Sequence, residues 1–558
     1  MRKLLLPWLC ALLAAVAAIA AIAAIAGSGA IAARVAVAAP GAPAAAATAP
    51  PAAPALGEVS FANSGLAAAQ EPFLRGLALL HDFEYEDAAA QFRKAQDIDP
   101  GFAMACWGEA MTYNHPVWMQ QDAAAARAAL GRLGATPEAR QARAGTPRER
   151  DYLRAVEVLY GDGSKEERDF RYSDAMAALS RRYPEDVDAT AFYALSLLGT
   201  AHQGRDFAIY MRSAALLEAV FPEHRHHPGV LHYLIHSYDD PIHAPLGLRA
   251  ARLYGGVAPN AAHALHMTSH IFVALGDWDE VIAANENAVR VVNQQRAERG
   301  QAPRTCGHYV SWLDYAYLQE RRFDQAQQQL DACRRMAVAA VAGSAAAGSS
   351  RDPDASLAGA FAEMRLFHTI ESGHWNGGDP FALSPAAPLG TRFSLAYGEA
   401  LAAAGGGDLP SLHAAAARLR ALQKELLAAI DQDKATDPGE RRRAEIVMHQ
   451  IDALERIRGG KADEGIALLR QAAAGEAAMA MEFGPPQIEK PTYELLGDEL
   501  AALGRHAEAR QAYRSALARA PGRTLSLRGL LRAEQALGDP AAEQTQSQLA
   551  RYVSAAAH

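Results

Sequence analysis

The sequence predicts an all-α solenoid, a right-handed superhelix of helix-turn-helix repeats in two helical blocks. Three observations carry this. The chain has 558 residues, too many for one compact core unless the core is repeated along an array. Half of the residues are hydrophobic but only 7% are aromatic, and the abundant Ala suits closely packed helices better than a β-rich core. Finally, small and large residues recur in a fixed order. From Gly76 the order is Gly76, Ala88, Phe92, Ala95, Pro100, and Gly497, Ala509, Tyr513, Ala516, Pro521 repeat it at the same offsets, with Gly504 between the first two. Partial copies read Gly276, Trp278, Val281, Ala288 and Phe323, Ala326, Leu330, Cys333. A unit of about 34 residues places its packing residues and its terminating proline in this order. The small residues let two helices approach, and the aromatic fills the space between neighbouring hairpins. Residues 120–150 and 405–445 are helical in composition but fit the pattern poorly.

Before the array, Arg2 and Lys3 precede an apolar run from Leu4 to about Ile25, with small-residue sites of the A-x-A kind between Ala30 and Ala39. This is the pattern of an export signal, and the run is also long enough for an uncleaved anchor. In both cases the positive end stays cytoplasmic and the body is translocated, so the expected location is periplasmic or secreted, or tethered at the inner membrane. Cys10 lies too near the start for a lipoprotein cysteine. The Ala/Pro/Gly stretch that follows cannot bury enough surface to fold. The organisation expected is a signal or anchor over 1–39, a tether over 40–58, an array over 59–336, a flexible linker over 337–356 and a second array over 357–558.

A net charge of -9 argues against a nucleic-acid partner, because phosphate contacts need a concentrated basic face. Cys106, Cys306 and Cys333 are too few for a disulfide scaffold and wrongly spaced for a thiolate zinc site. Cys306 precedes the first helix of its hairpin and Cys333 lies near the end of the second, so an antiparallel pair brings them within disulfide reach, a Cα separation below about 7 Å.

The strings "AMACWGEAMTYNHPVW", "HPGVLHYLIHSYDDP", "HALHMTSHIFVALGDWDEVIAANENAV" and "EFGPPQIEKPTYELLGDELAALGR", together with the recurring small and aromatic positions, resemble those of exported bacterial tetratricopeptide repeat proteins over most of the chain after residue 60. The resemblance implies fold and export and carries no catalytic residue over.

Nine of the 19 histidines lie between His224 and His270. His232 and His236 are four apart, as are His266 and His270, so each pair shares a helix face. The second pair follows the first by 34 residues, one repeat length, which puts the pairs at equivalent places on adjacent hairpins. Counted from Gly276 and Trp278, His263, His266 and His270 fall at the second, fifth and ninth positions of their repeat, which in tetratricopeptide arrays line the inner groove, as the resemblance implies. His308 takes the second position of the next unit, and His202 lies 34 residues before His236. Packed helices have axes roughly 8–10 Å apart and imidazole binds zinc at about 2.0–2.1 Å, so a metal midway is within reach of both pairs. Imidazole without thiolate suits Zn, Cu, Fe or Ni, with Asp239 and Asp240 as ligands or as acceptors for imidazole N–H groups.

The expected centre is thus His232, His236, His263, His266, His270 and His308, with Asp239, Asp240, His202 and His227 as further ligands or supports. A zinc peptidase is excluded, because Tyr233 and Met267 stand where its general-base Glu would follow the first His. Two other readings stay open: a metal-dependent enzyme using the same site, and a metal-free groove for a protein, peptide or small anionic ligand. His81, His368, His413, His449 and His506 read as packing or hydrogen-bonding residues, His227 as the start of a helix with Pro228 in its first turn, and Glu482–Pro486 as a turn. Trp107, Trp118, Trp278 and Trp312 are expected to pack between repeats. As groove-face side chains, the clustered histidines are expected to contribute little to packing.

Overall fold

The computed structural model describes residues 55–343, 356–373, 387–432 and 438–554. The expected signal or anchor and most of the tether lie outside these residues. No described helix is long and apolar enough to cross a membrane.

The repeat order seen in the sequence builds helix hairpins because an aromatic ring is wedged between two glycines. Phe92 lies in the helix Tyr85–Ile98, which pairs with Gln70–His81. A Cβ on Gly76 would stand 3.0 Å from its ring, and one on Gly108, in the next helix Ala103–Met111, would also press on it. Tyr513 repeats this arrangement at the far end, where a Cβ on Gly497 would stand 2.7 Å from the ring and Gly529 closes the other side. The wedge fixes the spacing within a hairpin and between hairpins at once.

Continued along the chain, this packing gives 24 α-helices among the described residues, from Gln70–His81 to Ala542–Ser554, each lying against the next. Among the described residues the one β element is a two-residue antiparallel pair, Asn114–His115 with Gln120–Gln121, at the edge of the region that fits the repeat pattern poorly. The linker expected over 337–356 is helical at its start, since the helix Phe323–Gly343 runs into it.

The chain from Pro54 onward is one compact unit, and specific contacts join the two blocks. Gly276 and Gly522 approach backbone to backbone so closely that a Cβ on either would collide with the other. Beside them Trp278 Nε1–H donates to Gly522 O at 2.9 Å, Arg523 donates to Tyr315 Oη at 3.0 Å, and Thr524 N–H donates to Gln319 Oε1 at 2.9 Å. Arg523 is buried, and its charge is met by Glu371 at 2.7 Å and Glu494 at 2.7 Å. Trp107 packs in the core against Phe61, Tyr152 and Phe192.

Cys306 and Cys333 are disulfide-bonded with Cα atoms 4.3 Å apart. The bond ties the approach to the helix His308–Gln319 to the helix Phe323–Gly343. Replacing Gly497 by Val should overpack the Tyr513 wedge and destabilise the chain by about 1–3 kcal/mol. The measurement is the thermal melting midpoint, and an unchanged midpoint would contradict the wedge.

Candidate metal centre

Two adjacent helices carry the histidine pairs. Pro228–Tyr238 begins as expected, with His227 as N-cap, its Nδ1 accepting from Val230 N–H at 3.3 Å, and with Pro228 in the first turn. Ala262–Leu275 ends at Gly276, whose φ of 75° is the left-handed stop. The pairs converge, with the rings of His236 and His270 5.6 Å apart.

Their surroundings correct one expectation. His232, His236, His263, His266 and His270 are all buried, between 0 and 8% exposed, so they do not line an open groove. Aromatic rings cover them. Phe83 lies 4.2 Å from His232, 5.8 Å from His236 and 5.6 Å from His263, centroid to centroid. Trp118 lies 6.0 Å from His263, while Trp312 and Phe483 each stack on His270 at 4.7 Å. The expectation that these histidines contribute little to packing is corrected for the same reason. Deleting one removes a ring held between other rings.

The ring nitrogens form two trios rather than one set of six, and His236, Asp239 and His270 form a further set that bridges them. His232, His236 and His263 each bring a nitrogen within 4.8 Å of the other two, and His266, His270 and His308 form a second such trio. In the first trio, His232 Nδ1–H donates to His81 O at 2.6 Å, and His236 Nδ1 faces Asp239 Oδ2 at 3.4 Å. That leaves Nε2 of both, and Nε2 of His263, buried without a hydrogen-bond partner. In the second trio, His266 Nδ1–H donates to Asn285 Oδ1 at 2.7 Å and His270 Nδ1–H donates to Asp239 Oδ2 at 2.9 Å.

Asp239 therefore orients one histidine of each trio. Burial alone would raise its pKa, but Arg205, which also bonds it, and the hydrogen bonds from His236 and His270 hold it well below the usual carboxylate range. Beyond it lies a small cleft whose lining includes Asp239, Glu482, Arg519 and Arg523.

Other expected residues stand apart. Asp240 accepts from the backbone of Ile242 and His243 and from the His243 ring. His202 faces Asp169 at 3.2 Å. His227 joins His81 on Asp188, at 3.3 and 2.9 Å, and Tyr233 Oη–H donates to His81 Nδ1 at 2.9 Å. His368 bonds Asp314 and His413 bonds Glu455.

Phe83 was not singled out from the sequence, although a signal was present. Aligning the repeat copies puts it level with Gly276, Arg321 and Gly504, and all four have positive φ, 58°, 75°, 61° and 74°. Left-handed backbone favours glycine, so a large side chain there is strained. Its neighbours hold the turn down. Glu84 accepts from the N–H of His263 at 3.0 Å, and Asp82 accepts from Tyr254 Oη–H at 2.7 Å. Phe483 lies inside the expected turn, where Gly484 has φ 89° and a Cβ on it would collide with Trp312.

These hairpins define the class, an α-solenoid of antiparallel helix pairs. Residues 491–523 match the family model for the tetratricopeptide repeat. Solved structures similar to it include the APC/C hetero-tetramer Cut9–Hcn1, at 12% identity over 85% of this chain and 78% of that one, TM-score 0.33. The P58(IPK) TPR domain is similar at 13% over 85% and 99%, TM-score 0.21, and yeast Tom70 at 10% over 84% and 96%, TM-score 0.31. With TM-scores this low, the fold rests on the helices themselves. No curated protein sequence matches the chain.

Burial pushes His232, His263 and His266 well below their ordinary pKa of 6.5 and outweighs Asp239 in lowering His270 to about 4. For His270 the unfolded chain binds the extra proton between pH 6.5 and 4. Its stabilising contribution is thus complete above 6.5 and is lost as pH falls through 4. The carboxyls of buried Asp82 and half-buried Glu84, raised by desolvation, act with the opposite sign, so a difference isolates the ring. In metal-stripped protein, the gap in urea midpoint between wild type and His270→Gln should narrow from pH 7 to pH 4.5. An equal gap at both would show that His270 titrates normally.

Proposed function

We propose that this chain is a tetratricopeptide-type scaffold that holds a divalent transition-metal ion on His232, His236 and His263. One observation carries the reading: three buried Nε2 atoms without hydrogen-bond partners, on rings whose nitrogens gather within 4.8 Å. An unpaired nitrogen buried this way costs roughly 1–3 kcal/mol, and a cation shared among three of them offsets that cost. The His81 carbonyl and Asp239 supply the acceptors that metal-bound histidines use on their other nitrogen. An all-imidazole trio suits Zn, Cu, Fe or Ni. Three protein ligands would leave a coordination position open, and Phe83 packs against all three rings. Around this centre the repeat array offers the surface through which such scaffolds engage protein partners.

The test uses protein purified without a histidine tag. Because the rings are packed, Gln replaces His. His232→Gln combined with His236→Gln should lose at least one Zn2+ per chain while circular dichroism still reports the helical array. Zn2+ content equal to wild type would refute the reading.

A further inference from the structure

We infer that the histidine cluster is a two-ion site, with a second divalent transition-metal ion bound by His266, His270 and His308. This rests on the reading above, that imidazoles hold a metal here, and extends it from one position to two.

The argument is about where protons sit. Asn285 Nδ2–H donates to Val281 O at 2.9 Å, which turns the amide Oδ1 toward His266. That oxygen only accepts, so the proton is on His266 Nδ1. The Asp239 carboxylate likewise only accepts, so the proton is on His270 Nδ1. A neutral imidazole carries one N–H and one lone pair. Both Nε2 atoms therefore present lone pairs, and they face each other at 3.3 Å. Two lone pairs at that distance repel, and a cation beside them converts the repulsion into coordination. His308 brings a third ring nitrogen within 4.8 Å of both, its ring 4.5 Å from that of His266.

The trio His81, Asp188 and His227 shows the contrast. It is equally compact, but its nitrogens have partners of matching kind. Tyr233 Oη–H and Val230 N–H donate to the two Nδ1 atoms, and both Nε2–H groups donate to Asp188. No ring lone pair is left over there, and no ion is called for. By comparison, His232, His266 and His270 each have an acceptor at Nδ1, which leaves the lone pair on Nε2.

The ligand class is a first-row divalent ion that accepts imidazole alone, since no thiolate approaches among the described residues. Full-length untagged protein, stripped with chelator and dialysed against Zn2+, is analysed for zinc per chain. Wild type should hold two ions. His308→Ala should hold one, because this half-buried ring at a helix start is removed without opening the core. His266→Gln, the second variant, should also hold one. A wild-type count of one overturns the second position and leaves the first standing. A count of two that neither variant lowers overturns it as well, and a count of zero overturns the proposed function itself.

Discussion

Asp239 is the constraint on which the arrangement of this cluster depends. A fully buried carboxylate is tolerated only when its charge and lone pairs are met, and here Arg205, His236 and His270 meet them. The two histidines come from different helices, so the same hydrogen bonds that satisfy the carboxylate lock those helices in register. They also fix proton positions. Each ring that gives its Nδ1–H to Asp239 turns its Nε2 lone pair toward its own trio. One group thus meets a structural requirement and sets the ring orientations.

The solenoid supplies the scale on which this works. Phe92 and Tyr513, each clamped between two glycines, set the separation of successive hairpins, and that separation brings residues one repeat apart to facing positions. His236 and His270 meet for this reason. The repeat also has a left-handed turn that glycine fills at Gly276 and Gly504. At Phe83 the array gives up that easy conformation and gains a ring over three histidines, with Glu84 and Asp82 anchoring the strained turn to the helix start and to Tyr254.

Closure comes from both ends of the chain. Phe83 and Trp118 cover one trio from the first repeats, while Phe483 covers the other from the loop before the last ones. That loop reaches the histidines because the two blocks are held together at Gly276 and Gly522 and by the buried Arg523 network. The result is a buried histidine cluster in which electrostatic interactions are strong and unpaired nitrogens are expensive.

The helix hairpins, the repeat length and the approach of His236 to His270 were legible in the sequence, because periodicity along a chain becomes facing position in an array of identical pitch. The place of Cys306 and Cys333 at the two ends of one hairpin was legible for the same reason. What followed from tertiary structure alone is how the six histidines divide, which acceptor each Nδ1 finds, and that the rings are buried. His81 O, Asn285 and Phe483 lie 151, 19 and 213 residues from the rings they touch, and no local pattern encodes such a meeting. Sequence spacing determined which residues share a face. The packing of distant segments decided what that face sees, because hydrogen-bond partners and burial depend on the whole folded chain rather than on the helix that carries the side chain.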